Sequence, residues 1–84
     1  MDTDLRDERC RVVGTKQLLK KLAVDEIAQL YLAKDAQQRI KDELLEAAKK
    51  SGVPVTEIDT MAHLGQMCGI AVGSAAAGLL KEAQ

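Results

Sequence analysis

Residues 10–24 read CRVVGTKQLLKKLAV, and this stretch decides the fold because it predicts a strand, a turn and a helix in succession. The short apolar run CRVV ends at Gly14, which is typical of a strand that enters a turn. Thr15 is predicted to cap the helix that follows, by accepting a hydrogen bond from an early backbone N–H group.

The helix predicted from this stretch has one cationic half. At about 100° per residue, one half of the helical wheel carries aliphatic side chains: Leu18, Leu19, Leu22 and Ala23. The other half carries only lysines and one amide: Lys16, Gln17, Lys20 and Lys21. Free N–H groups and lysines at a helix N-terminus attract phosphates and electronegative base edges. The alternative is that these lysines form an ordinary solvated helix face.

The rest of the chain alternates strand and helix patterns. IAQLYLA (27–33) and VPVTEID (53–59) predict strands. Because proline cannot donate a backbone hydrogen bond, Pro54 is expected either among the first residues of the second strand or in a strand at the edge of the sheet. QQRIKDELLEAAKKSG (37–52) predicts a helix that ends at Gly52 and has four apolar residues at helical spacing: Ile40, Leu44, Leu45 and Ala48. TMAHLGQMCG (60–69) predicts a short helix that begins at Thr60 and ends at Gly69.

The last stretch, IAVGSAAAGLLKEAQ (70–84), is ambiguous. Its alanines favour a helix, but two glycines interrupt that helix, and the β-branched and leucine residues favour a strand. We expect a loop over residues 69–73 followed by a buried strand. Alternating strands and helices imply an α/β domain with helices on both faces of the sheet.

Composition and charge limit the classes of function. The chain has 84 residues, which predicts a single domain over residues 1–84, and its one aromatic residue, Tyr31, requires an aliphatic core. Lys and Arg number 12 against 13 Asp and Glu, but four of these acids lie in an acidic N-terminal segment, residues 1–8. The remainder is weakly basic, which suits a small nucleic-acid contact. The acidic segment is expected either to cap a short helix or to keep a basic surface soluble.

Catalytic, metal and membrane signals are weak. Cys10 and Cys68 lack CxxC spacing and no secretory leader pattern opens the chain, so we expect a reduced, cytoplasmic protein. No apolar run approaches the roughly 20 residues of a membrane span. His63, the only histidine, precedes Cys68 by five residues, which is not zinc-ligand spacing. We therefore expect no enzyme, no metal and no cofactor.

Three segments are each a weak signal but together form a specific pattern: Gly14-Thr15-Lys16-Gln17 with Lys20, LAKDA (32–36) and HLGQMCGIAVGSAA (63–76). In this order and spacing they resemble the kink-turn RNA-binding family that includes ribosomal protein L-seven-Ae, and most closely its small bacterial members. The likeness covers nearly everything from about Cys10 to Leu80. It implies a three-layer α/β/α sandwich around a small four-stranded mixed sheet, with residues 74–80 as a strand.

The resemblance also implies a first RNA contact at the glycine turn. A kink-turn bends duplex RNA through sheared G·A pairs beside a bulge, and this widens a major groove that side chains ordinarily cannot read. By resemblance, Lys16 and Gln17 hydrogen-bond guanine edges and Lys20 reaches a base edge or a phosphate. Gly14 and Thr15 bring backbone N–H groups close to the RNA.

A second implied contact is the loop before the last strand. Ile70, Ala71 and Val72 would cover unstacked bulge bases, while Gly69 and Gly73 permit the backbone to turn. Lys34 would contact a phosphate or support the loop. Judged from the residues alone, burial of Ile70 and Val72 in the core is the alternative.

This chain departs from the family pattern at the contact residues. Archaeal-type members usually carry Asn-Glu where this chain has Lys16-Gln17, and an acidic residue where it has Ala71. Both changes make the contact surface less negative, which favours general RNA affinity. The family also often has an acidic residue where this chain has Gln37. Whether Lys16 and Gln17 read base edges as Asn-Glu would is left open.

The predicted function is recognition and stabilisation of kink-turns by a monomeric, non-enzymatic protein. Its partner would be a structured RNA, such as ribosomal RNA or a riboswitch. The protein would be cytoplasmic, either free or associated with the ribosome. The alternative is a ribosome-associated protein-interaction module without specific RNA reading. Comparing the affinity for RNA with intact G·A pairs and with Watson–Crick replacements distinguishes the two.

Overall fold

Strands and helices alternate along the chain in the predicted order. The computed structural model describes residues 10–81. Four strands are present in this part: β1 (Arg11–Val13), β2 (Ile27–Ala33), β3 (Val55–Ile58) and β4 (Ala76–Leu80). Three helices connect them: α1 (Thr15–Ala23), α2 (Gln38–Ser51) and α3 (Met61–Cys68).

The four strands form one mixed sheet with the spatial order β1-β4-β2-β3. β4 runs antiparallel to both of its neighbours, whereas β2 and β3 are parallel and α2 makes the crossover between them. β3 is an edge strand and Pro54 directly precedes it, which confirms the position predicted from the proline. The ambiguous C-terminal stretch is therefore a strand in the middle of the sheet.

Helices cover both faces of the sheet. Successive side chains of β2 accordingly alternate between the core layers on the two faces. Leu30 and Leu32 belong to the cluster under α1 and α2, whereas Tyr31 and Ala33 pack on the side of α3. The two layers of aliphatic core contain these buried side chains: Leu18, Leu22 and Leu44 on one face, and Ile58, Leu64 and Cys68 on the other. This is the α/β/α sandwich that the resemblance implies.

Small residues in β4 explain why an alanine-rich segment forms a central strand. Ala76 and Ala77 have no exposed surface, and they point to opposite faces of the sheet. A Cβ at Gly78 would lie 2.7 Å from Cδ2 of Leu18 in α1. The strand thus lets helices approach closely from both sides, and this packing outweighs the helix propensity of alanine.

The cap predicted for α1 was wrong, and two side chains that belong to the helical apolar patterns are exposed. Thr15 does not cap α1, because the cap position is taken by Gly14, whose φ of 106° suits glycine, and the helix already includes Thr15. Ala23 is exposed although it was assigned to the apolar half of α1. Leu45 is 40% exposed, because α2 packs through Leu44 and Ala48 and Leu45 lies about 100° around the helix from Leu44.

The last strand begins at Ala76, two residues later than predicted. The N–H group of Ser74 donates to the carbonyl of Met61 at 3.0 Å, and its hydroxyl donates to the carbonyl of Ala76 at 2.7 Å. These bonds take Ser74 out of the strand ladder and make it part of the loop.

The predicted ends of the other helices are confirmed. Thr60 accepts a hydrogen bond from the backbone N–H of His63 at 3.0 Å, as an N-cap residue does. Gly52 and Gly69 end α2 and α3 in the left-handed conformation, with φ of 68° and 74°. In residues 10–81, no helix has the length and apolar character needed to cross a membrane.

Candidate nucleic-acid interface

Three chain segments meet at one edge of the sheet. Val13, the last residue of β1, pairs with Ala77, and the N–H of Ala33, the last residue of β2, donates to the carbonyl of Ala75 at 2.9 Å. β1 and β2 therefore both end where β4 begins. We call the surface that results the cationic edge: residues 14–17, Lys20, Lys34 and residues 70–72. The strand register thus places the chain segments that carry the predicted site residues at the same end of the sheet.

The N-terminus of α1 presents backbone donors at this edge. The first helical hydrogen bond runs from the N–H of Leu18 to the carbonyl of Gly14 at 3.0 Å, so the N–H groups of Thr15, Lys16 and Gln17 point out of the helix end. Among the residues that the structure describes, no side chain caps them, and the first turn has no acidic residue. The positive end of the helix dipole is therefore not offset by a carboxylate in its own turn.

The lysines of α1 differ in their availability. Lys16 and Lys20 are exposed, four residues apart and thus on one helix face, and in the described part of the chain neither forms an ion pair. Lys21 instead forms a salt bridge with Glu26, with 2.9 Å between Nζ and Oε1. The cation stripe that is free for a ligand is therefore Lys16 and Lys20.

The end of β2 adds a further exposed lysine to the edge. The side chain of Lys34 is exposed, while its N–H donates to the carbonyl of Ile58 and its carbonyl accepts from Nζ of Lys41, both at 2.8 Å. The backbone of Lys34 is thus fixed between β3 and α2, and its side chain extends into solvent.

The loop before β4 divides its apolar residues between core and surface. Ile70 is half-buried and packs against the core cluster on the side of α3. Val72 is 70% exposed and Ala71 is also exposed. Core burial, the alternative considered for both residues, therefore does not apply to Val72. The side chain of Val72 is therefore accessible to a ligand.

Close backbone packing holds this loop against α3. A Cβ at Gly65 would lie 2.2 Å from the carbonyl oxygen of Val72, and a Cβ at Gly73 would lie 3.2 Å from the carbonyl carbon of Met61. The N–H of Ile70 also donates to the carbonyl of Gly65 at 3.1 Å. Gly69 turns the chain with a positive φ, as expected, whereas Gly73 has no positive φ and is favoured by the close approach of Met61.

Two residues hold α3 in place, and the sequence analysis predicted neither role. Oδ1 of Asp35 accepts from the N–H of Met61, the first residue of α3, at 2.8 Å. The guanidinium of Arg11 donates to the carbonyl of Cys68 at the other end of the same helix. Both bonds orient the helix that carries the loop. Each bond joins residues at least 26 positions apart, so no local sequence pattern predicts these contacts.

His63 and Cys68 do not form a paired site. His63 is exposed, whereas Cys68 is fully buried on the core side of α3. Burial raises the pKa of the Cys68 thiol, and Arg11 opposes this only in part, so its thiolate is less populated at neutral pH. Within residues 10–81, no group of three or more His, Cys, Asp and Glu residues is placed to hold a metal ion.

These features define a class of small three-layer α/β/α domains with a cationic edge built from a helix N-terminus and an apolar loop. The chain belongs to the Ribosomal protein L7Ae/L30e/S12e/Gadd45 family, whose sequence model matches residues 3–84.

Similar proteins support this assignment. An RNA-binding protein of Caldanaerobacter subterraneus subsp. tengcongensis is 47% identical over 73 residues, which cover 83% of this chain and 89% of that protein. RNA-binding protein YbxF of Geobacillus stearothermophilus is 40% identical over 70 residues, 83% and 85% of the two chains. Among solved structures, a 15.5 kD RNA-binding protein of Giardia lamblia superposes with a TM-score of 0.77 at 25% identity, covering 88% of this chain and 62% of that one.

Proposed function

We propose that this chain is an RNA-binding protein that recognises kink-turns and stabilises their bent form. The observation that carries the proposal is the convergence, at one edge, of an uncapped helix end bearing Lys16, Gln17 and Lys20 with a loop that exposes Val72. The names of its relatives as RNA-binding proteins support the same class of partner.

In the proposed complex, the N-terminus of α1 enters the widened major groove at the sheared G·A pairs. Lys16 and Gln17 hydrogen-bond guanine edges, and Lys20 contacts a base edge or a phosphate. The backbone N–H groups at Gly14 and Thr15 face the RNA. Lys34 supplies a further phosphate contact from the end of β2.

The loop makes the second contact of the proposed complex. Val72 and Ala71 cover the unstacked bulge bases by apolar contact, while Ile70 packs beneath them and holds the loop in place. The protein works as a monomer and without a cofactor, in the cytoplasm, on a structured RNA such as ribosomal RNA or a riboswitch. Because it prefers the kinked state, binding shifts the RNA population toward that state.

A kink-turn RNA with a donor and an acceptor dye at its two ends tests the proposal. Adding the protein at micromolar concentration should raise the transfer efficiency, and replacing the G·A pairs by Watson–Crick pairs should abolish the rise. Equal affinity for both RNAs would indicate general RNA binding. Absence of binding to either RNA, with a relative as positive control, would favour the protein-interaction module.

A further inference from the structure

A groove of about 430 Å³ lies between the N-terminal turns of α1 and α2, next to the cationic edge. Thr15 and Lys16 line it on the side of α1, and Gln37 and Arg39 line it on the side of α2. Lys16 therefore belongs both to the proposed base-reading surface and to this groove, so the two surfaces are continuous.

Arg39 is the cation of this groove that the sequence did not single out. Its side chain is exposed and, in the described part of the chain, makes neither an ion pair nor a side-chain hydrogen bond. The first turn of α2 contains no acidic residue. The side-chain amide of Gln38 donates a hydrogen bond to Oδ1 of Asp42 at 2.8 Å. Within residues 10–81, the guanidinium of Arg39 thus has no ionic or hydrogen-bonding partner at the wall of the groove.

The packing of the two helices relates this groove to an RNA duplex. Packed helices lie about 8–10 Å apart, axis to axis. When the end of α1 enters a nucleic-acid groove, the start of α2 therefore lies over the backbone strand that borders the groove. A planar guanidinium with five donors suits a phosphate at that place.

We propose that Arg39 binds a backbone phosphate of the duplex stem beside the kink, so that the RNA crosses the groove between α1 and α2. This inference rests on the proposed function and extends its contact surface to α2. Arg39 supplies affinity without reading sequence, whereas Lys16 contacts base edges.

Glu43 limits how far the backbone can follow this groove. It lies one turn after Arg39 and lines the same groove, but it forms no salt bridge with Arg39. Beyond it, Glu46 lines a second hollow between α1 and α2, together with Lys50 and Ala47. A carboxylate on the groove wall repels phosphate, so the RNA is confined to the end that holds Lys16 and Arg39.

The test is the salt dependence of binding to a labelled kink-turn RNA. Arg39→Gln should weaken binding roughly three- to tenfold near 0.1 M salt and lower the slope of log affinity against log salt by about one. The preference for intact G·A pairs should be unchanged. Lys49→Gln, at the exposed far end of the same helix, is the matched control and should change neither quantity.

Removing a carboxylate from the same groove is expected to have the opposite effect on RNA affinity. Glu43→Gln should tighten binding about two- to fivefold, whereas Glu46→Gln should change it less. Wild-type slope and affinity in the Arg39 variant would overturn the inference, and loss of the G·A preference would overturn the phosphate assignment. Failure of the wild-type protein to bind kink-turn RNA would instead overturn the proposed function.

Discussion

Gly65 in α3 lies directly against the carbonyl oxygen of Val72, which a Cβ at residue 65 would approach to 2.2 Å. The contact is with backbone, so no side-chain rotation relieves it. A glycine in the middle of a helix costs about 1 kcal/mol relative to alanine, and this helix retains one where the loop must pass. The loop that carries the exposed valine can thus lie against α3 only because Gly65 has no side chain.

Gly65→Ala is therefore expected to destabilise the protein by about 1–3 kcal/mol, despite the gain in helix propensity. Urea unfolding measures the change. Gln66→Ala, at an exposed position of the same helix, is the control and should be neutral or slightly stabilising. If Gly65→Ala stabilised the protein as the control does, the close approach of the loop would be contradicted.

Lys16→Ala should cost about 1–3 kcal/mol in kink-turn affinity if Lys16 contacts a base edge. Lys21→Ala should cost less, because the salt bridge to Glu26 holds Lys21 away from the ligand. A binding titration with kink-turn RNA and with a plain duplex measures both. Equal losses on the two RNAs would show that Lys16 is only a phosphate contact.

Val72→Ser is expected to leave stability within about 0.5 kcal/mol, since the side chain is 70% exposed, yet to weaken kink-turn binding. Loss of an apolar contact of this size corresponds to about 1.5 kcal/mol, or roughly tenfold in affinity. Val24→Ser is a matched control, because Val24 is 61% exposed and follows the opposite end of α1. Similar binding by both variants would contradict a role for the loop.

Cys68 should make stability depend on pH in the alkaline range. Burial raises the pKa of its thiol above the ordinary value of 9.0, so the folded protein keeps the proton to a higher pH than the unfolded chain does. The stabilisation is present below the unfolded pKa and is lost as pH rises through the folded pKa.

Urea unfolding at pH 8 and pH 10, with a reductant present, compares the wild type with Cys68→Ala. The variant starts less stable because a buried side chain is truncated, but it should lose less stability between the two pH values. Parallel losses in the two proteins would contradict a titrating Cys68.

The order of the elements could be predicted because the signals for them are local. Gly14 marks the turn into α1, and Thr60 and Gly69 bound α3 as their residue types suggest. The misplaced cap at Thr15 shows the limit of such signals, because either Gly14 or Thr15 suits the cap position and only the backbone conformation chooses between them. Leu45 fits a helical apolar pattern, but its exposure depends on where α2 meets the sheet.

An α/β domain with helices on both faces of the sheet and the cationic half of α1 could be predicted from the sequence alone. Both follow from periodicity, glycine positions and spacing within short segments. Tertiary structure alone decided that β1, β2 and the loop before β4 meet at one edge, because this depends on strand register between distant residues. It also decided that Val72 is exposed while Ile70 is half-buried, and that Arg39 shares a groove with Lys16. Burial and proximity are properties of packing, which joins residues far apart in the chain.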